Sequence, residues 1–427
     1  MIYVFLSGGL SQLDSFDLKP DAPENVRGEF RPTATRTPGL QICEHLPRLA
    51  ERSARWSLVR SMYHPRPEHS AGHMIMLSGQ TELPPGFDPN RPRPGDWPSI
   101  AALANWLAPP RAELPSAVCL PERLVHHTGR VIPGQFAGML GGAREPMFLD
   151  LCPYNAQSYG AYPTYCFHHA KGPVAAPTVN FSPPSLELSS AMPGERLASR
   201  AALLSTLSRA RQPSGSAAAE FLRHRQRAVG LLSSPSVRRA FDIRGAEPEL
   251  VERYGQNTFG WSLLLARQLV EAGVNLVQVH LGNDESWDTH ERAFPNLRDY
   301  LLPPTDRAVA ALLDDLGSRG LLDSTLVVMA GEMGRTPKLS TLPGATYAGR
   351  DHWGTQTVWL AGGGVQGGRV LGATDKIGAY PANDPQRPEN LAATIYHVLG
   401  IPRTAQWSDT SGRPHAVYQA EPFSQLL

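Results

Sequence analysis

The apolar positions of this chain fall into short β-type runs and longer segments at 3.6-residue spacing, punctuated by glycine and proline. Ile2–Leu6 is the first run, and Ser7-Gly8-Gly9 follows it at once as a tight turn. Residues 17–40 are polar and proline-rich and read as loop. Leu46–Arg55 reads as a short helix, Trp56–Met62 as a second strand, and a further helix starts at His69, just past Pro67. Later the rhythm sharpens. Thr258–Ala272 is a helix stopped by Gly273, Val274–His280 a strand, and Asp306–Arg319 a helix stopped by Gly320. Thr325–Met329 and Thr355–Ala361 read as strands, and Pro388–Leu399 as a closing helix stopped by Gly400. Pro183–Arg211 and Ala217–Phe241 also carry helical spacing. Recurring helix, glycine and strand predict an α/β fold with a mostly parallel central sheet and helices on both faces.

Residues 80–185 break this rhythm. Pro, Gly, Tyr and Trp recur, with a helical segment at Pro98–Leu107 and a strand at Ser116–Leu120. The pattern predicts one domain over residues 1–427, with 80–185 a large loop-rich insertion or cap over the sheet edge.

Composition narrows the function classes. With 41% hydrophobic and 19% charged residues the chain is an ordinary folding sequence, and a formal charge of +1 argues against nucleic acid or a membrane surface held by bulk electrostatics. No run of 18 apolar residues exists, so no membrane-spanning helix is expected. Ile2–Leu6 is too short for a signal peptide and lacks its basic start, so a cytoplasmic location is expected as written, or export if the gene model is shortened at its N-terminus. Arginine supplies 36 of the 40 basic residues. Its fork suits phosphate or sulfate, although GC-rich coding produces the same bias. Cys43, Cys119, Cys152 and Cys166 show no CxxC spacing; Cys152 and Cys166, in one loop, read as a pair of buried free thiols, with pairing in an oxidising compartment the alternative.

The candidate chemistry lies where strands end. In a parallel sheet those ends converge on one edge. The first strand is followed by Ser7, Ser11, Asp14 and Asp17, the second by Glu68, His69, Ser70 and His73, and the strand ending at His280 by Asp284, Asp288 and His290. The strand ending at Met329 leads to Glu332 and Arg335, and Asp351-His352 comes in the next loop. Carboxylates gathered with imidazoles are what a divalent cation needs: oxygens suit Mg, Mn or Ca, and added histidine shifts the preference toward Zn, Mn or Fe. Asp288 and His290 share a face if extended, and His69 and His73 share a helix face. Ser70, at a helix start, reads as either a nucleophile or a helix cap, and Arg335 matches the oxygens of an anionic ester. His280 reads as core, His126-His127 and His168-His169 as loop residues, and the glycine run 362–368 as a bulged hairpin rather than a phosphate loop.

Several blocks together resemble the bacterial DUF1501 proteins, relatives of the alkaline phosphatase/sulfatase superfamily. They are FLSGGLSQLDSFDLKP (5–20), YGQNTFGWSLLLARQLVEAGVNLVQV (254–279), WDTH (287–290), TLVVMAGEMGRTPK (325–338), GRDHWG (349–354) and GGGVQGGRVLGATD (362–375). The resemblance implies a three-layer α/β/α core and a one- or two-metal site with a Ser or Thr nucleophile opening a helix. By position, Ser7 stands where the superfamily has its first metal-binding Asp, and His69-Ser70 occupies the nucleophile region, followed by Leu77-Ser78-Gly79. Asp288 and His290 match an Asp…His pair, Glu332-Met333-Gly334 stands in place of Asp-His-Gly, and His352 matches the last His. Ser7 and Met333 are poor ligands for a hard cation, so a partial site is expected from Asp14, Asp288, His290, Glu332, Asp351 and His352, with Ser70, His69 and Arg335 as catalytic candidates. The expected function is metal-dependent hydrolysis of a phosphate or sulfate ester, on an anionic small-molecule or glycan substrate. The alternative is a non-catalytic binding or assembly module on the same fold.

Overall fold

The structure, a computed structural model, describes residues 1–108, 114–152, 155, 158–176, 181–182, 194–211, 222, 225, 229–230, 232, 234–243 and 245–427. Its centre is an eight-stranded sheet. In chain order the strands are β1 (Ile2–Phe5), β2 (Trp56–Tyr63), β3 (Ala117–Leu120), β4 (Met147–Phe148), β5 (Leu276–His280), β6 (Val327–Ala330), β7 (Thr355–Ala361) and β8 (Val370–Leu371). Across the sheet they run β8-β2-β7-β6-β1-β5-β3-β4. All point one way except β7, which pairs antiparallel with both β6 and β2.

Side chains alternate across a strand, and β1 shows what that does. Ile2 and Val4 enter one core with Leu263, Leu264, Leu312 and Leu313, from the helices α3 (Thr258–Glu271) and α4 (Leu302–Ser318). Tyr3 and Phe5 enter the opposite core with Met76, Leu77, Leu103 and Ile395, from α1 (His69–Ser78), α2 (Ile100–Leu107) and α5 (Pro388–Val398). With apolar residues on both faces and helices covering each, the molecule is the three-layer α/β/α sandwich expected.

Three differences from the sequence reading have local causes. Helix α4 begins at Leu302, four residues before the expected start, and continues directly from the helical turns Ala293–Asn296 and Leu297–Leu301, with Pro303 and Pro304 in its first turn. The glycine run 362–368 is not a hairpin. It leads from β7 to β8, and β2 lies between those two strands. Gly362 there has φ +64°, and a Cβ on it would lie 2.4 Å from the Thr325 carbonyl oxygen. Within 80–185, β3 and β4 form one edge of the central sheet, while Tyr159–Ala161, Tyr165–His168 and Gly172–Pro173 make a small sheet of their own.

Of the expected helices at Pro183–Arg211 and Ala217–Phe241, the structure describes Gly194–Arg211 and Pro235–Phe241; residues 183–193 and most of 217–234 lie outside the described residues. All four cysteines are free thiols, Cys152 and Cys166 packing with Tyr162. Among the described residues no helix is long and apolar enough to cross a membrane.

Sheet direction sets the site. The C-terminal ends of β1, β2, β3, β5 and β6 share one edge. Because β7 runs the other way, it is the start of β7 that reaches this edge, and His352, three residues before Thr355, arrives with it.

Candidate metal centre

Asp288 is the hub. It follows β5 on a loop whose backbone is tied to β1: the Trp287 N–H donates to the Ser7 carbonyl at 3.0 Å. The approach is so close that a Cβ on Gly8 (φ +111°) would fall 2.4 Å from the Asp288 nitrogen. Only glycine fits there.

Three histidines turn Nε2 toward the Asp288 carboxylate. His290 Nε2 is 3.1 Å and His352 Nε2 3.4 Å from Oδ1, and His69 Nε2 is 3.4 Å from Oδ2. His290 Nε2 and His352 Nε2 are 2.9 Å apart. Each of two rings has its outer nitrogen held by a carboxylate. Glu332 Oε1 takes His69 Nδ1 at 2.8 Å, and Asp351 Oδ1 lies 3.5 Å from His290 Nδ1. His69 stands in the first turn of α1, while His352 is paired with Arg335 across a two-residue antiparallel ribbon, Gly334–Arg335 with His352–Trp353.

The electrostatics are those of a buried charge cluster. Burial opposes ionisation of Asp288, yet the Arg335 guanidinium and the three imidazoles hold its carboxyl well below the usual range. Burial likewise opposes ionisation of Glu332, but the neighbouring His73 and His69 bring it down to about 2. For His69, burial disfavours the cation, but hydrogen bonds and charge from Asp288 and Glu332 outweigh it and raise the imidazole well above its ordinary value. His352 moves the other way, lowered chiefly by burial.

These residues fit a divalent cation. Asp288 Oδ1 is buried and receives no well-directed hydrogen bond, although three nitrogens crowd it. Two imidazole nitrogens 2.9 Å apart cannot both carry a proton toward the other. Ligand atoms about 2.0–2.1 Å from a tetrahedral zinc stand roughly 3.3 Å from one another, close to the 2.9, 3.1 and 3.4 Å edges of this triangle. The Glu332 carboxylate behind His69 fixes the ring orientation that leaves its Nε2 for an ion, and Asp351 stands 3.5 Å behind His290.

A family model described as "Protein of unknown function (DUF1501)" matches residues 1–425. The chain belongs to the DUF1501 family. No curated protein matches it. Among solved structures it is similar to a sulfatase from Pseudoalteromonas sp., PsFucS1 (12% identity, 94% of this chain and 67% of that one, TM-score 0.40), and to Ps i-CgsB in complex with k-i-k-neocarrahexaose (10%, 94% and 72%, 0.40). It is also similar to a phosphonate monoester hydrolase from Silicibacter pomeroyi (10%, 94% and 73%, 0.36).

In this DUF1501 member, Asp288, His290, His352 and His69 meet, and the other expected residues stand elsewhere. Asp14 is not brought to the cluster: both its oxygens are taken by Arg350, at 2.7 and 3.0 Å. Glu332, expected as a ligand, spends Oε1 on His69 and the Gly8 N–H and Oε2 on the same N–H. Asp351 is largely exposed and backs His290. Ser70 donates to the Pro89 carbonyl at 2.7 Å, and among the described residues no base is hydrogen-bonded to it. Its neighbour His69 points into the site because adjacent helical residues diverge by about 100°. Arg335, expected to clamp substrate, is fully buried; it donates to the carbonyls of Gly8, Gly9, Trp287 and Arg350, and its Nη1 lies 2.6 Å from Asp288 Oδ1.

The sequence reading offers His73 as a possible ligand beside His69, Ser7 as a poor stand-in for a metal-binding Asp and Asp284 as a strand-end acid, and the structure ties the three together as an inner wall. Ser7 Oγ donates its one proton to Asp284 Oδ1 at 2.6 Å and lies 2.8 Å from His73 Nε2, while His73 Nδ1 donates to the His69 carbonyl at 2.6 Å. The positional signal existed, since Ser7, His73 and Asp284 all follow strand ends. The sequence reading does not single out Glu285, and it reads His126, His127 and His169 as loop residues; these three histidines fall in two pairs, 126-127 shortly after β3 and 168-169 at the end of the strand Tyr165–His168.

Proposed function

We propose that this protein is a metal-dependent hydrolase of phosphate or sulfate esters, with Asp288, His290, His352 and His69 holding a divalent cation. The observation that supports the reading is the convergence of three imidazole Nε2 atoms on one half-buried carboxylate, from three separate loops at one sheet edge. A bound cation there supplies Lewis acidity for an ester oxygen and acidifies a water. The protein's own groups do the rest. Arg335 keeps Asp288 ionised, Glu332 orients His69, and Asp351 lies behind His290. Ser70 is tied to Pro89, so the reading assigns the attack to water. Which ester is cleaved, and whether it sits on a glycan, is part of the proposal.

The test is metal analysis of purified protein together with turnover of aryl phosphate and aryl sulfate esters. Stoichiometric metal with turnover lost in Asp288→Asn and His352→Ala but kept in Ser70→Ala is the expected result. No bound metal and no turnover with either ester would sink it.

One observation favours a second reading, the non-catalytic module. The Arg335 guanidinium 2.6 Å from Asp288 already neutralises the carboxylate that a cation would need. On that reading Asp288→Asn lowers stability and no ester is turned over by any variant.

A further inference from the structure

Outward from Asp288 on the same loop, a second group of ligand atoms comes together. Glu285 Oε1 lies 2.9 Å from His126 Nε2, and Glu285 Oε2 lies 3.2 Å from His127 Nδ1. One ligand atom from each of the three residues lies within 4.8 Å of the other two. We propose that His126, His127 and Glu285 form an outer binding site for a borderline dication of the zinc, cobalt or nickel class, separate from the Asp288 centre.

Both sides of the site are held by their backbones. His126 and His127 occupy the tip of a tight hairpin, in which the His126 N–H donates to the Arg130 carbonyl at 2.8 Å and the Gly129 N–H to the His126 carbonyl at 2.8 Å. The two rings lie 4.0 Å apart, centroid to centroid. Facing them, Glu285 sits at φ +64°, a left-handed conformation that costs a non-glycine residue free energy and persists only where surroundings enforce it. Its carbonyl accepts from His169 Nε2 at 3.0 Å and from the Asp288 N–H at 2.9 Å. The strained turn sends the Glu285 carboxylate toward the hairpin while Asp288, three residues on, faces the inner centre.

The donor chemistry suits such a cation. Two imidazoles and a carboxylate are the donor set of open three-ligand zinc sites. The His126 Nδ1 has partners for either tautomer, Thr128 Oγ1 at 2.7 Å as acceptor and the Thr128 N–H at 3.2 Å as donor, so Nε2 can present a lone pair without a net loss of proton. His126 and Glu285 are mostly buried, at 15% and 10% side-chain exposure, whereas His127 is 50% exposed and leaves an entry face.

The experiment is titration of the chelator-stripped full-length protein with Co²⁺, read by calorimetric stoichiometry and by visible ligand-field bands. His126→Ala/His127→Ala should lose one equivalent, Glu285→Gln should weaken that equivalent at least about 100-fold, and Asp288→Asn/His352→Ala should retain it. His127→Ala alone, a half-exposed change, should weaken it about 10–100-fold and serves where the double variant does not fold. Uptake unchanged in the folded His126/His127 variants overturns the proposal, as does loss of all cobalt in Asp288→Asn/His352→Ala. A wild type that binds one equivalent, lost with the hairpin histidines and kept without Asp288, upholds the outer site while removing the inner cation. A wild type that binds none removes both.

Discussion

Arg350 and Asp14 form a buried two-pronged ion pair, Nε to Oδ2 at 2.7 Å and Nη2 to Oδ1 at 3.0 Å, with neither side chain more than 1% exposed. The remaining contacts are also filled. Arg350 donates to the Val26 carbonyl at 2.8 Å and to that of Pro337, and Ser11 donates to Asp14 at 2.6 Å. The pair clamps the turn after β1 to the segment that carries Asp351-His352. Removing one partner strands a buried charge, so Asp14→Asn should cost about 3–5 kcal/mol in urea unfolding, with metal content per folded molecule unchanged. Loss of metal at undiminished stability would instead make Asp14 a ligand.

Glu332 predicts the effect of an orienting carboxylate. Glu332→Gln keeps an oxygen for the Gly8 N–H but removes the charge behind His69. Cation affinity of the folded variant should fall about 10–100-fold, measured by calorimetry. An unchanged affinity would show that His69 does not bind the ion.

Gly8→Ala tests the close approach of β1 and the Asp288 loop. The added methyl would meet Asp288 and Trp287 backbone atoms at 2.4–2.7 Å, in a φ region that alanine avoids. A loss of at least about 2 kcal/mol of stability is expected, together with loss of the cation, since Asp288 must shift. Wild-type stability in this variant would contradict the geometry.

Glu122 sets a pH dependence. Burial, then the charges of Asp150 and Asp284, push its carboxyl from 4.5 up to about 8, and its Oε2 has no hydrogen-bond partner among the described residues. The folded state therefore holds a proton that the unfolded chain releases above its lower pKa. That contribution is complete below about pH 4.5 and is lost as pH rises through about 8. Glu122→Gln should accordingly gain stability over wild type between about pH 5 and about pH 9, in denaturant melts at each pH. Parallel wild-type and variant curves would refute the assignment.

Much of the frame was legible from local pattern. A short apolar run followed by glycine marks β1, and helical spacing ended by Gly273 or Gly320 marks α3 and α4, because helix and strand impose periods of 3.6 and 2 on whatever must be buried. The histidines and acids after strand ends were visible for the same reason. What could not be read was orientation within a cluster. Ser70 and His69 are neighbours in the chain, yet one faces the Pro89 carbonyl and the other Asp288.

By itself, then, the chain's pattern determined the α/β class, the layering around a mostly parallel sheet, and the set of polar groups delivered to one edge. Only the tertiary structure decided which of them meet. The reversal of β7 carries His352 to that edge, Arg350 withdraws Asp14, backbone carbonyls absorb Arg335, and a hairpin tip 159 residues before Glu285 places His126 against it. Strand direction, ion-pair choice and loop docking are contacts between segments far apart along the chain. No local period encodes them, and their energies are settled only when the sheet is assembled.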